Sequence, residues 1–438
     1  MKKNWMKKAE AMLMMSVVVV GTFGCGNVKM TIPDTTAKTT ESSSVKKLSS
    51  SSVVGKNTND KLETIQGLID KNFYFEDDEQ ELQDGIIRGY MEGLDDPYSV
   101  YYTPEEYESF MEDSEGEYVG VGVQVSQAAD TKIITVVKVL KDSPAEAEGI
   151  QNEDIITKVN GEDISDQDID TVVDKIRGEK GTEVTLTVYR GSDGKDHDYT
   201  MKRARVESPT VEYKMLEDNI GYVSVSSFYE VTANQYIEAV ESLKAQGMEG
   251  LIVDLRDNGG GLLDIAVEML DYMLPAGKIV YTEDKEGNIT SEYTSTDDEQ
   301  FTMPLTLLVN GYSASASEIF AGAIKDYGIG TLVGTNTFGK GIVQRMFPLD
   351  DGSAIKLTIA KYFTPNGNDI HKVGIKPDVE VELDTTAYRE SKGEKDNQLR
   401  AAENNILEKL GKEVPPDEDS KDIADTDSEE NTETADEE

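Results

Sequence analysis

Cysteine and histidine are scarce in this chain. Of 438 residues one is cysteine, Cys25, and two are histidine, His197 and His371. A single thiol excludes a disulfide within the chain, so an exported domain has to be held together by its core. Neither residue type is frequent enough for a zinc-type ligand set, and no phosphate-binding glycine loop of the P-loop kind occurs, so no metal or nucleotide cofactor is expected. The shortage of histidine also leaves a Ser-His-Asp triad poorly supplied. His197 stands in the polar loop "SDGKDHD", and His371, in "NDIHKVGIKPD", reads first as a surface-loop residue. Basic charge is short as well: 43 Lys and Arg face 86 Asp and Glu, a net charge of -43, which argues against binding nucleic acid by phosphate neutralisation. Tryptophan occurs once, as Trp5, in a segment expected to leave with an export signal.

That segment, residues 1–25, has four lysines and then an apolar stretch from Ala11 to Gly24, a pattern of export and too short for a comfortable membrane span. Cys25 follows the small residue Gly24, which resembles a bacterial lipoprotein cleavage site, with Thr22 where leucine is usual. The expectation is an extracytoplasmic bacterial protein, lipid-anchored through Cys25, with an uncleaved anchor or an ordinary secretory signal as the alternatives. Residues 26–60, rich in Ser, Thr and Lys, read as a flexible tether. Residues 61–115 carry apolar residues at helical spacing, with Thr103 placed to cap a helix ahead of Pro104. Residues 386–410 read as a C-terminal helical segment. From 411 to 438 thirteen acidic residues stand against two lysines with almost nothing apolar, and a disordered tail is expected.

Residues 117–204 alternate short β-type runs ("GVQV", "IITVVKVL", "EVTLTVYR") with one helical stretch, "QDIDTVVDKIRG". This region resembles a PDZ domain. Val119, Gly120, Val121, Gly122 and Val123, in "YVGVGVQV", fall where that family's carboxylate-binding loop enters its second strand. Such a loop offers successive N–H groups to a C-terminal carboxylate while the strand pairs with the extended peptide. Glu148 and Glu153 depart from the pattern, standing where a small residue and glycine are usual. Residues 205–385 alternate strand and helix, as in "GLIVDLRDNGGG", "LLDIAVEMLDYML", "PLTLLVNG" and "ASEIFAGAIKDYG". The fold class is therefore α/β in several domains, with ligand sites at the C-terminal ends of largely parallel strands, where "DNGGG" and "GYSASAS" fall.

In "VNGYSASASEIFAGAI" three serines alternate ahead of a helix. Ser315 and Glu318 fit a Ser-x-x-Glu capping box, which is a structural role. A nucleophilic role needs a base, and with histidine scarce the alternative is a lysine whose amine is kept neutral by burial. Lys340 in "GTNTFGKGIVQRMFPL" sits between two glycines in an apolar run. Gln344, four residues on, is its neighbour if the chain makes a helical turn and out of reach if it is extended. A neutral amide can orient a lysine without stabilising the ammonium as a carboxylate would.

"DLRDNGGGLL", "NGYSASASEI" and "FGKGIVQ", in this order and together with "DPYS" and "GIKPD", closely resemble the carboxyl-terminal processing peptidases, or tail-specific proteases, of the S41 class. The resemblance implies an α/β catalytic core of the ClpP-crotonase-like type and a serine endopeptidase that cuts exported proteins near unstructured C-terminal tails. It implies Ser315 as nucleophile, because the family's serine stands twenty-five residues before its lysine, Lys340 as base and Gln344 as third member. It places the oxyanion hole at the amide of Ala316 and that of Gly260 or Gly261, and gives Arg177, near the end of the PDZ helix, a part in gating. Its partners would be protein or peptide substrates with free C-termini, a membrane anchor and a second copy in a homodimer. The alternative is a non-catalytic PDZ receptor for C-terminal tails, since a fold does not prove a function.

Overall fold

The computed structural model describes residues 53–128, 131–296 and 300–415. The export signal with Cys25, most of the tether, and residues 416–438 of the acidic tail lie outside them. Among the described residues no helix is long and apolar enough to cross a membrane.

Helix α1 (Lys56–Asn72) begins inside the stretch read as tether, and α2 (Glu79–Glu92) is started by the Asp78 carboxylate, which accepts from the amides of Gln80 and Glu81. Strand β1 (Val100–Tyr102) and α3 (Pro104–Glu115) follow, with Thr103 and Glu106 forming the capping box ahead of Pro104. The next region consists of β2 (Glu117–Gly120), β3 (Val123–Gln127), β4 (Ile134–Val139), α4 (Pro144–Glu148), β5 (Ile155–Val159), β6 (Glu162–Asp163), α5 (Ile169–Ile176), β7 (Glu183–Arg190), β8 (Lys195–Lys202) and β9 (Ala204–Glu207). Its sheet runs β3-β4-β5-β7-β8 with every pairing antiparallel, over a core that includes Val136, Ile156, Val172, Leu186 and Val188. Glu153 has φ +71, a left-handed backbone that accounts for glycine being usual at its place. Strands β2 and β9 form a separate ribbon.

The larger domain is built from β10 (Val211–Met215), β11 (Ile220–Val225), α6 (Thr232–Ala245), β12 (Gly250–Asp254), α7 (Leu263–Asp271), β13 (Gly277–Glu283), β14 (Ile289–Ser295), β15 (Leu305–Val309), α8 (Ala316–Tyr327), β16 (Thr331–Gly334), β17 (Ile342–Pro348), β18 (Ala354–Phe363), β19 (Val379–Glu380), α9 (Thr385–Glu390) and α10 (Asn397–Leu410). One sheet runs β10-β11-β12-β15-β16-β19 and is parallel except for β10. Every residue of β12 ("GLIVD") and β15 ("LTLLV") is buried, as expected of central parallel strands covered on both faces. Leu251, Val253 and Leu307 belong to the core shared with α6, α7 and α8. The alternate residues Ile252 and Leu308 pack with Ala402, Ile406 and Leu407 of α10. This layering puts the ends of β12, β15 and β16 side by side, and from each a loop departs.

A second, antiparallel sheet contains β17, β18, β13 and β14, and it has an unexpected member. β1 pairs with β18, Val100 opposite Lys356 and Tyr102 opposite Ala354. The sequence reading expected residues 61–115 to be a helical region of their own, but three β-branched and aromatic residues, "VYY", instead join the sheet that carries Gln344.

Candidate active site

The three loops are tied together by buried side chains. After β12, Asp254 and Asp396 grip the Arg256 guanidinium at 2.6 and 2.8 Å, and Gln398 accepts from it at 3.0 Å, anchoring the glycine loop to the start of α10. Asn258, fully buried, donates to the Val225 carbonyl and accepts from the Gly260 amide at 2.9 Å, while its own carbonyl accepts from the Ala314 amide and the Ser317 hydroxyl. Gly260 has φ +107, and a Cβ there would lie 2.7 Å from the Ser315 Cβ and 3.0 Å from the Ala316 nitrogen. The glycine loop therefore touches the serine loop where only a hydrogen fits. Gly260→Ala is expected to cost at least about 100-fold in any activity of this site and to lower the melting temperature, by clash and by strain at positive φ. Peptidase assay and thermal melting check this together, and a variant equal to wild type in both would refute the contact.

The three serines separate cleanly. The Ser313 hydroxyl donates to the Leu255 carbonyl at 2.8 Å and accepts from the Asn310 amide, and that of Ser317 donates to Asn258 at 2.9 Å. The Ser315 hydroxyl is buried and has no hydrogen-bond partner. Its backbone sits at φ +61, ψ -115, a strained conformation that costs a non-glycine residue about 1–3 kcal/mol and persists only where the surroundings enforce it. Half of the expected capping box is present: Glu318 accepts from the Ser315 amide at 2.9 Å, but the Glu318 amide donates to the Ser315 carbonyl oxygen and not to the hydroxyl. The positive φ is the reason, because it turns the Ser315 side chain away from the helix it precedes.

Glu318 links the serine to the lysine. Fully buried, it accepts from the amides of Ser315, Gly339 and Lys340 and from the Thr337 hydroxyl, at 2.6 to 2.9 Å. Burial pushes its carboxyl up, and these donors pull the other way; four donors and no acceptor suit the ionised form. The Tyr362 hydroxyl is a second clasp, 2.9 Å from the Ser315 carbonyl oxygen and 2.6 Å from that of Lys340. Lys340 is 1% exposed, with Nζ 4.5 Å from the centre of the Tyr98 ring. Burial pushes its amine down to about 7 and the charge of Lys356 acts in the same direction, while the carboxylates of Glu318 and Asp96 oppose them.

Gln344 lies in β17, so Lys340 and Gln344 are not on a helical turn. A bulge in the pairing with β18 falls at Val343 and Gln344; the amide donates to the Thr358 hydroxyl at 3.3 Å, and its buried Oε1 has no partner. The Gly260 amide is committed to Asn258, whereas the Gly260 carbonyl accepts from the Phe228 amide. A trans peptide then aims the Gly261 N–H away from Phe228. The Ala316 amide is in the first turn of α8, where no intrahelical acceptor exists.

The remaining candidates lie elsewhere. Val121 is buried and Gly122 has φ +82, so the segment Val119 to Val123 turns sharply into β3, an edge strand whose partner in its sheet is β4. Arg177 follows α5 and stacks over the Tyr118 ring of β2 at 5.2 Å. His197 bonds Asp193 on the distant β8 hairpin. His371 packs its backbone against Gly341 and bonds neither Ser315 nor Lys340. The sequence reading missed Tyr362, Asn258 and Lys356 and took Glu318 only as a cap. "DPYS" was quotable, but nothing in its spacing shows that Tyr98 covers a lysine more than two hundred residues away.

Three family models match the chain: peptidase family S41 over residues 219–381, PDZ domain over 108–189, and the activating protease CtpB N-terminal domain over 16–106. The chain is 40% identical over 331 residues to the "Probable CtpA-like serine protease" of Staphylococcus aureus (strain COL), covering 75% of this chain and 65% of that protein. A protein of the same name from Staphylococcus saprophyticus is 39% identical over 324 residues, covering 74% and 65%. The match thus spans just under two thirds of the length of these relatives. Among solved structures, a photosystem II D1 C-terminal processing protease is 29% identical and is matched over 74% of this chain and 88% of its own, with a TM-score of 0.43.

Proposed function

Because its residues 219–381 belong to peptidase family S41 and residues 108–189 to the PDZ domains, we propose that the chain is an extracytoplasmic serine endopeptidase that cuts proteins near unstructured C-terminal tails. The observation that carries the reading is Ser315: its hydroxyl is the unbonded one of three alternating serines, its backbone is strained, and its amide shares one buried carboxylate with the Lys340 amide. In this mechanism the neutral Lys340 amine takes the proton of the Ser315 hydroxyl as the oxygen attacks the peptide carbonyl carbon. The resulting oxyanion accepts from the amides of Ala316 and Gly261, a pair of donors worth about 10²–10³ each in kcat at such sites. Lys340 returns its proton to the departing amine as the C–N bond breaks, leaving an acyl ester on Ser315. It then takes a proton from water as the hydroxide attacks the ester carbonyl, and returns that proton to the Ser315 oxygen as the acyl–oxygen bond breaks, releasing the new carboxyl terminus. The vacant acceptor of Gln344 is the group that holds the lysine while it is charged.

The PDZ region recognises the tail by adding it as a strand to the open edge of β3, with the carboxylate at the turn from Val119 to Val123. Arg177, stacked on the strand entering that turn, is placed to sense occupancy. Helix α1 buries no residue and leaves Ile65 and Leu68 exposed, with Phe73, Tyr74 and Phe75 beyond it. This supports a homodimer through the N-terminal region, with lipidated Cys25 or a cleaved signal ahead of it. The test uses the full chain and an unstructured protein ending in apolar residues, followed by intact mass. Wild type is expected to generate fragments with new C-termini, and Ser315→Ala none while still binding the tail in fluorescence anisotropy. Fragments formed equally by Ser315→Ala would end the assignment, and binding without cleavage by wild type would favour the receptor.

A further inference from the structure

The mechanism uses one buried lysine, and the structure contains a second. Lys356, on β18, is 6% exposed, and among the described residues it forms no ion pair. Its Nζ donates to the Tyr102 hydroxyl at 2.6 Å and lies 5.1 and 5.3 Å from the ring centres of Tyr102 and Phe110. An ammonium enclosed by two aromatic faces and one neutral oxygen is expensive, and a methionine would fill the same space at less cost. Its position explains its presence. Lys356 and Thr358 are two apart on one strand and share a face, and Thr358 is the residue that Gln344 bonds. β1 lies along the same stretch, Val100 opposite Lys356, with Ser99 bonding the Thr358 amide at 3.0 Å.

We propose that Lys356 is a positioning residue for the reaction: a second buried cation, held by Tyr102 of the same short segment whose Tyr98 ring covers the Lys340 amine, with a charge that offsets the carboxylates of Glu318 and Asp96. The inference rests on the reading of Lys340 as base. The serine and lysine loops need Glu318 as their common acceptor, yet an adjacent carboxylate favours the ammonium form of Lys340, which cannot take a proton. A buried cation on β18 opposes that bias without belonging to either loop. The directions agree: Lys356 lowers the basicity of Lys340 where Glu318 and Asp96 raise it, and burial alone brings Lys356 itself to about 8, so it stays charged at neutral pH. The other ionisable groups around the pair are phenols: Tyr98 over Lys340, Tyr362 on its carbonyl, and Tyr102, held near 12 by burial and by the charge of Glu106. His371 borders Gly341, with Lys361, Lys372 and Asp369 around it. Since the two lysines interact, their protons leave in steps that belong to the pair.

The experiment is the pH profile of kcat/KM for Lys356→Met and Lys356→Arg beside wild type, with the Lys340 side chain followed by NMR of ¹³Cε-labelled lysine in the Ser315→Ala protein. Removal of the charge is expected to move the acid limb and the Lys340 titration up by roughly one pH unit, so that kcat/KM falls by about fivefold at pH 7, approaches a tenfold loss in more acid solution and recovers at higher pH. Lys356→Arg is expected to restore the limb. A tenfold loss that is equal at every pH, or a Lys340 titration unmoved in Lys356→Met, overturns the proposal. If Lys356→Met does not fold, Tyr102→Phe serves, because it strips the ammonium of its acceptor and is expected to move both titrations in the same direction by less. The outcomes separate from the parent reading: a Lys340 titration that follows Lys356 in an enzyme still active as Lys340→Ala leaves the coupling standing and removes the base.

Discussion

Lys340→Met is expected to abolish cleavage, lowering kcat/KM by about 10⁴-fold or more, and at the same time to make the protein more stable. Both effects have one origin. The Lys340 amine is held near 7 in the folded chain against 10.5 ordinarily, first by burial and then by the charge of Lys356. Folding at neutral pH therefore releases part of a proton and bears the cost of desolvating an amine. The sign follows from linkage: between about pH 7 and 10.5 the unfolded chain binds more protons at this residue, so wild-type stability rises with pH across that window. At pH 7 the cost is on the order of several kcal/mol, discounted for whatever the methionine side chain packs less well. Methionine removes the amine and keeps the stem, so Tm at pH 7 is expected to rise by roughly 3–8 °C, with the gain shrinking toward pH 10. The companion measurement is the wild-type pH profile, in which kcat/KM climbs about tenfold per unit below pH 7 and levels above it, since only the neutral amine can accept the serine proton. A flat profile from pH 5 to 9, or a destabilised Lys340→Met, would contradict the assignment of this amine as base.

Glu318→Gln carries the second large effect. In the native site four donors converge on two carboxylate oxygens: the amides of Ser315, Gly339 and Lys340 and the Thr337 hydroxyl, the last of which also accepts from the Ile375 amide. Glutamine has the same shape with one oxygen, and its NH₂ would point two hydrogens at donors. The Thr337 hydroxyl could turn to accept from that NH₂, but each carboxylate oxygen also takes at least one backbone N–H, which cannot turn. At least one buried N–H is left without an acceptor, at about 1–3 kcal/mol for each such group, and the serine and lysine loops lose their common anchor. The expected outcome is a loss of stability of about 2–4 kcal/mol by denaturant titration together with a fall in kcat of at least about 10²-fold. Glu318→Asp, which keeps the charge on a shorter stem, is expected to recover stability better than turnover. Were Glu318→Gln to lose stability with kcat intact, the carboxylate would be a cap for α8 and nothing more.

Some of this was legible from residue order and some was not. The strands of the parallel sheet declare themselves, since "GLIVD" and "LTLLV" are continuous apolar runs ended by glycine or turn residues, and such runs have few other homes. The loops "DNGGG" and "GYSASAS" at strand ends follow from the architecture, while naming Ser315, Lys340 and the glycines together took the resemblance to the tail-specific proteases. What spacing does not encode is contact between segments far apart in the chain. Tyr98, Tyr102, Tyr362 and Lys356 each look like ordinary members of amphipathic runs, and only the pairing of β1 with β18 brings the first two into the wall around the lysines. Gln344 shows the same limit from the other side: its four-residue distance from Lys340 favours contact in a helix, and the chain chose a strand with a bulge.

The pairing of β1 with β18 and the hold of α10 on Arg256 mean that the two ends of the described chain close the site from opposite sides. Tyr98 covers the lysine from the N-terminal side, and Asp396, 140 residues beyond Arg256, fixes the glycine loop from the C-terminal side. A chain emerging from a ribosome or an export channel possesses Ser315 and Lys340 long before it possesses Asp396. Until that residue arrives the glycine loop has Asn258 and Asp254 to hold it but lacks its tie to α10, so the nascent molecule carries the proposed reactive groups with their support incomplete. The arrangement of the proposed site is in this sense complete only once the segment around Asp396 has docked on Arg256.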